Sequence, residues 1–94
     1  MPSAEWNGAV LATTDKFETV EGNIYFPPSS IDKQYFHASD HTSHCPWKGD
    51  AKYYDVVVNG QVNKNGAWYY PEPYAAAANI KDHVAFWNGI TVKK

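Results

Sequence analysis

The chain contains no arginine and only one cysteine among its 94 residues. Eight lysines stand against ten acidic residues, so the formal net charge is −2 at pH 7. Nucleic-acid binding depends on clustered positive charge, and this balance therefore argues against nucleic acid as a partner. A single cysteine cannot form an internal disulfide, so we expect a fold that does not depend on an oxidising compartment.

Targeting signals and long apolar runs are also missing. The N-terminus has neither the basic segment nor the apolar segment of a signal peptide. No apolar run approaches the ~18 residues of a membrane span. The chain likewise has no Gly-rich turn that opens a helix to hold phosphates. We therefore expect a soluble cytoplasmic protein with no membrane partner and no cofactor.

Aromatic side chains are abundant for so short a chain: 4 Trp, 7 Tyr and 4 Phe. A chain of this length buries only roughly 60 to 65% of its unfolded surface, so one modest core is expected. The length therefore predicts that residues 1–94 form a single domain. The aromatic count exceeds what core filling alone usually takes, which indicates that some rings line a surface or cleft.

Turn signals are frequent along the whole chain. Asn-Gly supplies the positive φ of tight hairpin turns, and it occurs at positions 7–8, 59–60, 65–66 and 88–89, with a reversed Gly-Asn pair at 22–23. These signals predict a mainly β fold of compact, antiparallel, hairpin-rich sheets packed as a small sandwich or open barrel. One short Ala-rich helix is expected before the last hairpin, at residues 74–80.

The predicted hairpins join residues 5–6 to 9–12, 17–20 to 24–26, and 84–87 to 90–92. A single helical turn is expected at 29–33, a short strand at 35–38 and a polar turn at 39–42. The longest strand is predicted at 51–58, returning through 61–63, and a further turn at Asn65-Gly66 leads into a strand at 67–70.

Strand alternation separates the side chains into two faces. One face is plainly apolar and predicts the core: Ile24, Phe26, Val56, Val58, Val84 and Phe86. The opposite face carries polar and aromatic residues, namely Glu21, Asn23, Tyr25, Tyr53, Asp55, His83, Ala85 and Trp87. That face is either a concave ligand-binding surface or a second packing layer against the helix.

Residues 42–49, which end in Cys-Pro-Trp-Lys-Gly, hold the densest chemistry. Cys45 is either a nucleophile, activated by Lys48 or His83, or an inert thiol packed under the turn. Lys48 either holds an anionic or carbonyl group of a ligand or pairs with Glu21 or Asp50 at the surface. Glu21 is either a general base or ligand acceptor, or an exposed turn carboxylate.

Three histidines precede the cysteine, at His37, His41 and His44. Imidazole and thiolate are common zinc ligands, but this spacing contains no paired Cys/His knuckle. We therefore expect a polar loop with solvated histidines and no metal site.

Five ordered blocks of the sequence resemble the family called Domain of Unknown Function 427: residues 6–12, 20–27, 45–54, 68–71 and 83–87. The resemblance implies a compact, mainly antiparallel β-domain whose motif residues surround a small pocket. The family has been labelled a nucleotidyltransferase, but this chain has no Gly-Ser loop followed by spaced metal-binding aspartates. Carried over position by position, the motif points to Glu21, Asn23, Tyr25, Cys45, Trp47, Lys48, Tyr53, Trp68, Tyr70, His83 and Trp87.

Three hypotheses of function follow. The first is a domain that binds a compact polar or anionic small molecule in an aromatic-walled pocket, with Lys48, Asn23, Tyr25, Trp47, Tyr53, Trp68, Tyr70 and Trp87 as ligand-binding residues. The second is a small transferase or hydrolase in which Cys45, or Glu21 with His83, is catalytic. The third is a protein-interaction module. The oligomeric state is left open between monomer and homodimer.

Overall fold

A computed structural model describes all residues from 1 to 94. Nine strands form three antiparallel sheets. The strands are β1 Ser3–Trp6, β2 Ala9–Thr13, β3 Glu18–Val20, β4 Asn23–Tyr25, β5 Phe36–Cys45, β6 Gly49–Val58, β7 Gln61–Tyr69, β8 Val84–Phe86 and β9 Thr91–Lys93. The sheet orders are β2-β1-β9, β3-β4 and β5-β6-β7-β8. This confirms the prediction of a mainly β fold built from antiparallel sheets.

Two of the predicted Asn-Gly turns close hairpins as expected. Asn7 and Asn59 have φ of 50° and 51°, and each is followed by a glycine that also has positive φ. The β3–β4 hairpin differs by one residue, because its turn is Glu21-Gly22 and Asn23 already pairs with Val20. The predicted Gly22-Asn23 turn is therefore wrong. Glu21 takes the first turn position at φ 55° and Gly22 the second at φ 80°, and this tight hairpin turn requires positive φ at both positions.

The strand β5 is longer than predicted. It pairs with β6 on both sides of an irregularity between Ala38 and Thr42, so the predicted polar turn at residues 39–42 is wrong. β5 is the edge strand of its sheet, and most of its side chains are exposed, which explains why a polar sequence can form it.

The predicted turn at Asn65-Gly66 is also wrong, because both residues lie within β7. The register of β6 against β7 shifts between Tyr54 and Val56, and Asn65 has a φ of 55°. Asp55 Oδ1 accepts the backbone N–H of Asn65 at 2.9 Å. Asn65 therefore marks a bulge, which uses the same positive φ as a turn without reversing the chain.

The helical segments are short 3₁₀ turns at Pro28–Ser30, Lys33–Tyr35 and Ala75–Ile80. The last of them is the expected short Ala-rich helix, but it is of 3₁₀ type and is interrupted at Ala77, which has a φ of −120°. A segment this short gains too few backbone hydrogen bonds to form an α-helix on propensity alone. None of the helical segments has the length and hydropathy that a membrane crossing requires.

The expected last hairpin is wrong as well. β8 pairs with β7, whereas β9 pairs with β1, so the Asn88-Gly89 turn carries the chain from one sheet to another. Phe86 and Ile90, on either side of that turn, pack into the same core, which holds the two sheets against each other. Phe26 and Val84 exchange two backbone hydrogen bonds of 2.8 Å, which place the β3–β4 hairpin beside β8.

The four-stranded sheet is covered on both faces. The first core contains all six predicted core residues, packed with Ala4, Leu11, Ala12, Ala67 and Ile90. The second core lies on the opposite face and contains Tyr25, Ala51, Tyr53, Tyr70 and Ala85, covered by Ala77 and Ile80 of the last 3₁₀ segment. The polar and aromatic face is thus partly a packing layer, and its remaining open part is the site described below.

Candidate functional site

The Cys-Pro-Trp-Lys-Gly motif forms the hairpin loop between β5 and β6. Cys45 pairs with Gly49, so Pro46, Trp47 and Lys48 make up the loop. Gly49 has a φ of 117°, and a Cβ at this position would lie 3.3 Å from the carbonyl oxygen of Glu72. Glycine is therefore required both by the backbone conformation and by the close approach of the 72–74 segment.

Lys48 is the most constrained residue of this loop. Its carbonyl oxygen accepts the backbone N–H of Tyr74 at 2.9 Å, and the residue is only 7% exposed. The ammonium donates a hydrogen bond to Glu21 and forms an ion pair with it. The same nitrogen lies 5.6 Å from the ring centre of Trp47 and 5.4 Å from that of Tyr70, within cation–π range.

Lys48 and Glu21 each stabilise the charged form of the other. Burial is the largest single influence and works against the charge on Lys48, but the hydrogen bond to Glu21, together with the charge interactions with Tyr25, Tyr70 and Glu21, outweighs it, and the pKa of Lys48 is raised. The hydrogen bond from Lys48 lowers the pKa of Glu21. Burial raises the pKa of the Tyr70 phenol, although nearby Lys48 offsets part of that effect. At neutral pH the site therefore holds an ammonium, a carboxylate and a neutral phenol.

A cleft of about 140 Å³ opens beside the Lys48 side chain. Its lining consists of Lys48, Tyr53, Trp68, Tyr70 and Trp87. The rings of Trp68 and Trp87 meet edge to face with their centres 5.8 Å apart, and those of Tyr53 and Trp87 are 6.3 Å apart. Larger hollows elsewhere on the surface are mainly polar, and none of them contains a buried charge.

Hydrogen bonds from behind the cleft hold its aromatic walls. Trp68 Nε1–H donates to the hydroxyl of the fully buried Tyr25 at 3.2 Å. The Tyr53 hydroxyl shares a hydrogen bond of 2.9 Å with Ser43 Oγ. Each ring is therefore fixed in orientation as well as in position.

Trp87 is the most exposed wall, at 47%. Its Nε1–H donates to the carbonyl oxygen of Asn65, the residue at the β7 bulge. Neither Asn65 nor Ser43 was among the predicted site residues. The positive-φ signal of Asn65-Gly66 was present in the sequence, but it indicated a turn rather than a bulge, and Ser43 carried no signal at all.

The structure brings together most of the predicted site residues. Five line the cleft, and Tyr25 lies beneath Trp68. Glu21 accepts a hydrogen bond from the Lys48 ammonium, and the Trp47 ring lies next to the same ammonium. Of the two surface partners proposed for Lys48, Glu21 is the actual one, and the lysine itself is buried.

The other three predicted residues do not line the cleft. Asn23 borders a separate hollow beside Ile24 and Ile90. His83 Nδ1–H donates to the carbonyl oxygen of Lys81 at 2.9 Å. Cys45 is half-buried and packs against the second core. No hydrogen bond joins Glu21 to His83.

The three histidines near Cys45 are spread along β5. The ring of His41 packs against that of Tyr53 with the ring centres 4.6 Å apart, and His44 Nδ1 lies 2.6 Å from Asp50 Oδ1. Nowhere in the structure do three or more His, Cys, Asp or Glu side chains form a group that could hold a metal ion.

The fold and the cleft define a small antiparallel β-protein with a buried lysine at an aromatic-walled cleft. The chain belongs to the family described as Domain of unknown function (DUF427), which matches residues 3–93. This match confirms the resemblance seen in the sequence, and the family's description assigns no activity. No curated protein matches the chain.

Proposed function

We propose that this protein binds a compact polar or anionic small molecule in the aromatic cleft. The observation that supports this proposal most directly is the position of Lys48: a buried ammonium that borders an open cleft whose other walls are aromatic. Burying a charge costs free energy, and Glu21 accepts one hydrogen bond from this ammonium. A ligand oxygen in the cleft would provide a second acceptor.

The volume of the cleft limits the size of the ligand. Drug-sized sites usually occupy roughly 300–1,000 Å³. The cleft here is about 140 Å³, close to the ~150 Å³ of an engineered apolar cavity that admits benzene. A single ring with one or two polar substituents fits this volume, whereas most of a nucleotide would extend out of the open cleft.

The protonation of Lys48 favours binding over covalent chemistry. An amine must lose its proton before it can attack a carbonyl, and the contact with Glu21 keeps Lys48 protonated. Lys48 is therefore suited to donate a hydrogen bond to a ligand and not to form a covalent bond with it. The aromatic walls add apolar contact area for a planar ligand.

The enzyme hypothesis has less support from the geometry. Cys45 and His83 do not line the cleft, and Glu21 is engaged by Lys48. The interaction hypothesis rests on exposed aromatics such as Trp47 and Trp87, at 41% and 47%. Trp87 lines the cleft and is held by a hydrogen bond, so a role as a ligand wall accounts for it equally well.

The experiment is a screen of single-ring acids, amides and polyols by ligand-observed NMR, with hits mapped by backbone amide shifts. We expect hits to shift residues around Lys48, and Lys48→Met to abolish them. Lys52→Met is the matched control, because Lys52 lies on β6 with an exposed side chain. Trp87→Ala, at an exposed wall, should weaken binding without unfolding the protein. Hits that map elsewhere, or that survive both cleft substitutions, would contradict the proposal.

A further inference from the structure

Glu21 occupies a backbone position that is usually taken by other residues. Four turns of this protein place a residue with φ between 50° and 55° before a glycine with positive φ. Asparagine fills that place in three of them, at Asn7, Asn59 and Asn88, and Glu21 fills it in the fourth. Asparagine tolerates the left-handed conformation through local hydrogen bonds of its short side chain, an advantage that glutamate lacks.

The departure from asparagine is explained by the tertiary contact that Glu21 makes. The β3–β4 tip carries its carboxylate to the ammonium of Lys48, in the loop between β5 and β6. Asparagine at this position has a shorter side chain and no charge to offer. The chain thus accepts a less favourable turn residue and gains a carboxylate beside the cleft.

This carboxylate changes the charge that a ligand meets. Lys48 is the one charged residue lining the cleft, and the chain contains no arginine to add a second cation. Glu21 remains ionised beside it, so the pair has no net charge. An anionic group placed on Lys48 would also stand close to the Glu21 carboxylate, and the repulsion would offset much of the attraction to the ammonium.

An uncharged oxygen acceptor avoids that repulsion. The ammonium carries three N–H donors and gives one hydrogen bond to Glu21. A ligand carbonyl or hydroxyl can accept another without displacing the carboxylate. The four aromatic residues of the lining offer ring surfaces to a planar body.

We propose that the cleft takes an uncharged, planar, single-ring molecule bearing a carbonyl or hydroxyl oxygen, and that Glu21 is the residue that excludes anions. The ligand class is that of a carboxamide or lactam on an aromatic or heteroaromatic ring. This inference rests on the proposed function of the cleft and narrows it to the neutral members of the polar class.

The test compares benzamide with benzoate, which match in size and shape and differ in charge. Each is titrated at pH 7 into the wild-type protein, Glu21→Gln and Glu18→Gln, and followed by amide shifts around Lys48. Glu18→Gln is the matched control, because Glu18 lies on the same hairpin and its carboxylate instead accepts from Asn79 Nδ2 at 2.8 Å. A second variant, Glu21→Asn, removes the charge and installs the residue used by the other three turns.

We expect the wild-type protein to bind benzamide more tightly than benzoate. Both Glu21 variants should gain about tenfold for benzoate, with benzamide changed little, because a like charge near the site is removed. Glu18→Gln should keep the wild-type preference. A wild-type preference for benzoate, or loss of both ligands in both Glu21 variants, would overturn the role of Glu21 while leaving small-molecule binding intact. Failure of both probes to shift any cleft residue in any variant would count against the proposed function itself.

Discussion

The Glu21 carboxylate and the Lys48 ammonium meet between two hairpin tips that are 27 residues apart in the sequence. The two partners differ in exposure, since the Lys48 side chain is 8% exposed and that of Glu21 is 51% exposed. The exposed Glu21 carboxylate therefore serves mainly as the hydrogen-bond acceptor and counter-charge of the buried Lys48 ammonium. It also ties the small β3–β4 hairpin to the four-stranded sheet.

This pair predicts a pH dependence of stability with a definite sign. Folding lowers the pKa of Glu21 from its ordinary value of 4.5, so its contribution is present above that pH and lost as pH falls through the folded value. Folding raises the pKa of Lys48 from 10.5, so that contribution is present below pH 10.5 and lost as pH rises through the folded value.

Glu21→Gln should therefore flatten the decline in unfolding free energy as pH falls below the ordinary value of 4.5. Urea denaturation at a series of pH values from neutral to acidic measures this decline. Glu18→Gln changes the same charge on the same hairpin without touching Lys48 and serves as the control. An acid limb that is equally steep in the wild-type protein and Glu21→Gln would show that the pair contributes nothing to acid stability.

Gly49 should be the glycine least tolerant of a side chain. Gly49→Ala would force an L-residue to a φ of 117° and bring its Cβ to within 3.3 Å of the Glu72 carbonyl oxygen. We expect a loss of about 2–3 kcal/mol in unfolding free energy. Gly60→Ala is the control, because Gly60 also has positive φ but open space around it, and should lose only about 1 kcal/mol. Equal losses in urea denaturation would mean that the contact with Glu72 carries no energy.

The hydrogen bond behind the cleft should also be measurable. Tyr25→Phe removes the hydroxyl that accepts the Trp68 indole N–H, and we expect a loss of about 1 kcal/mol with the fold retained. A red or blue shift of tryptophan emission should accompany it, since the surroundings of Trp68 change. Tyr35→Phe is the control, because the half-buried Tyr35 makes no side-chain hydrogen bond and its loss should change neither property. A neutral effect of Tyr25→Phe would indicate that Trp68 is held by packing alone.

Alkylation of Cys45 offers a direct test of the enzyme hypothesis. The thiol is half-buried, packs against the second core and does not line the cleft. Iodoacetamide at neutral pH should therefore label it more slowly in the native protein than in the same protein unfolded in urea. Native labelling as fast as in the unfolded chain, or faster, would restore Cys45 as a candidate nucleophile.

The alternation of side chains was the most informative signal in the sequence. It assigned Ile24, Phe26, Val56, Val58, Val84 and Phe86 to one core, and all six pack there. The signal holds because the pleat of a strand fixes which side chains share a face, regardless of the partner strand. The same rule placed Tyr25, Tyr53 and Ala85 together on the opposite face.

Dipeptides that favour positive φ were less reliable predictors, because they fix the local backbone conformation but not whether the chain reverses there. Asn59-Gly60 closes a hairpin, Asn65 marks a bulge within β7, and Asn88-Gly89 links two different sheets. The same residue pair therefore has three outcomes. Which one occurs depends on the strand that is available for pairing: β6 and β7 are consecutive strands, whereas β9 pairs with β1 at the other end of the chain.

The sequence by itself determined the mainly β class and predicted six residues of the first core, and its resemblance to the family supplied a set of candidate site residues that includes the five lining the cleft. Only the tertiary structure decided that Glu21 pairs with Lys48, that Trp87 is held by Asn65, and that Asn23 and His83 lie outside the cleft. The physical reason is that periodicity is a property of one strand, whereas each of these contacts joins separate elements. Their geometry follows from sheet order and register, which local sequence does not specify.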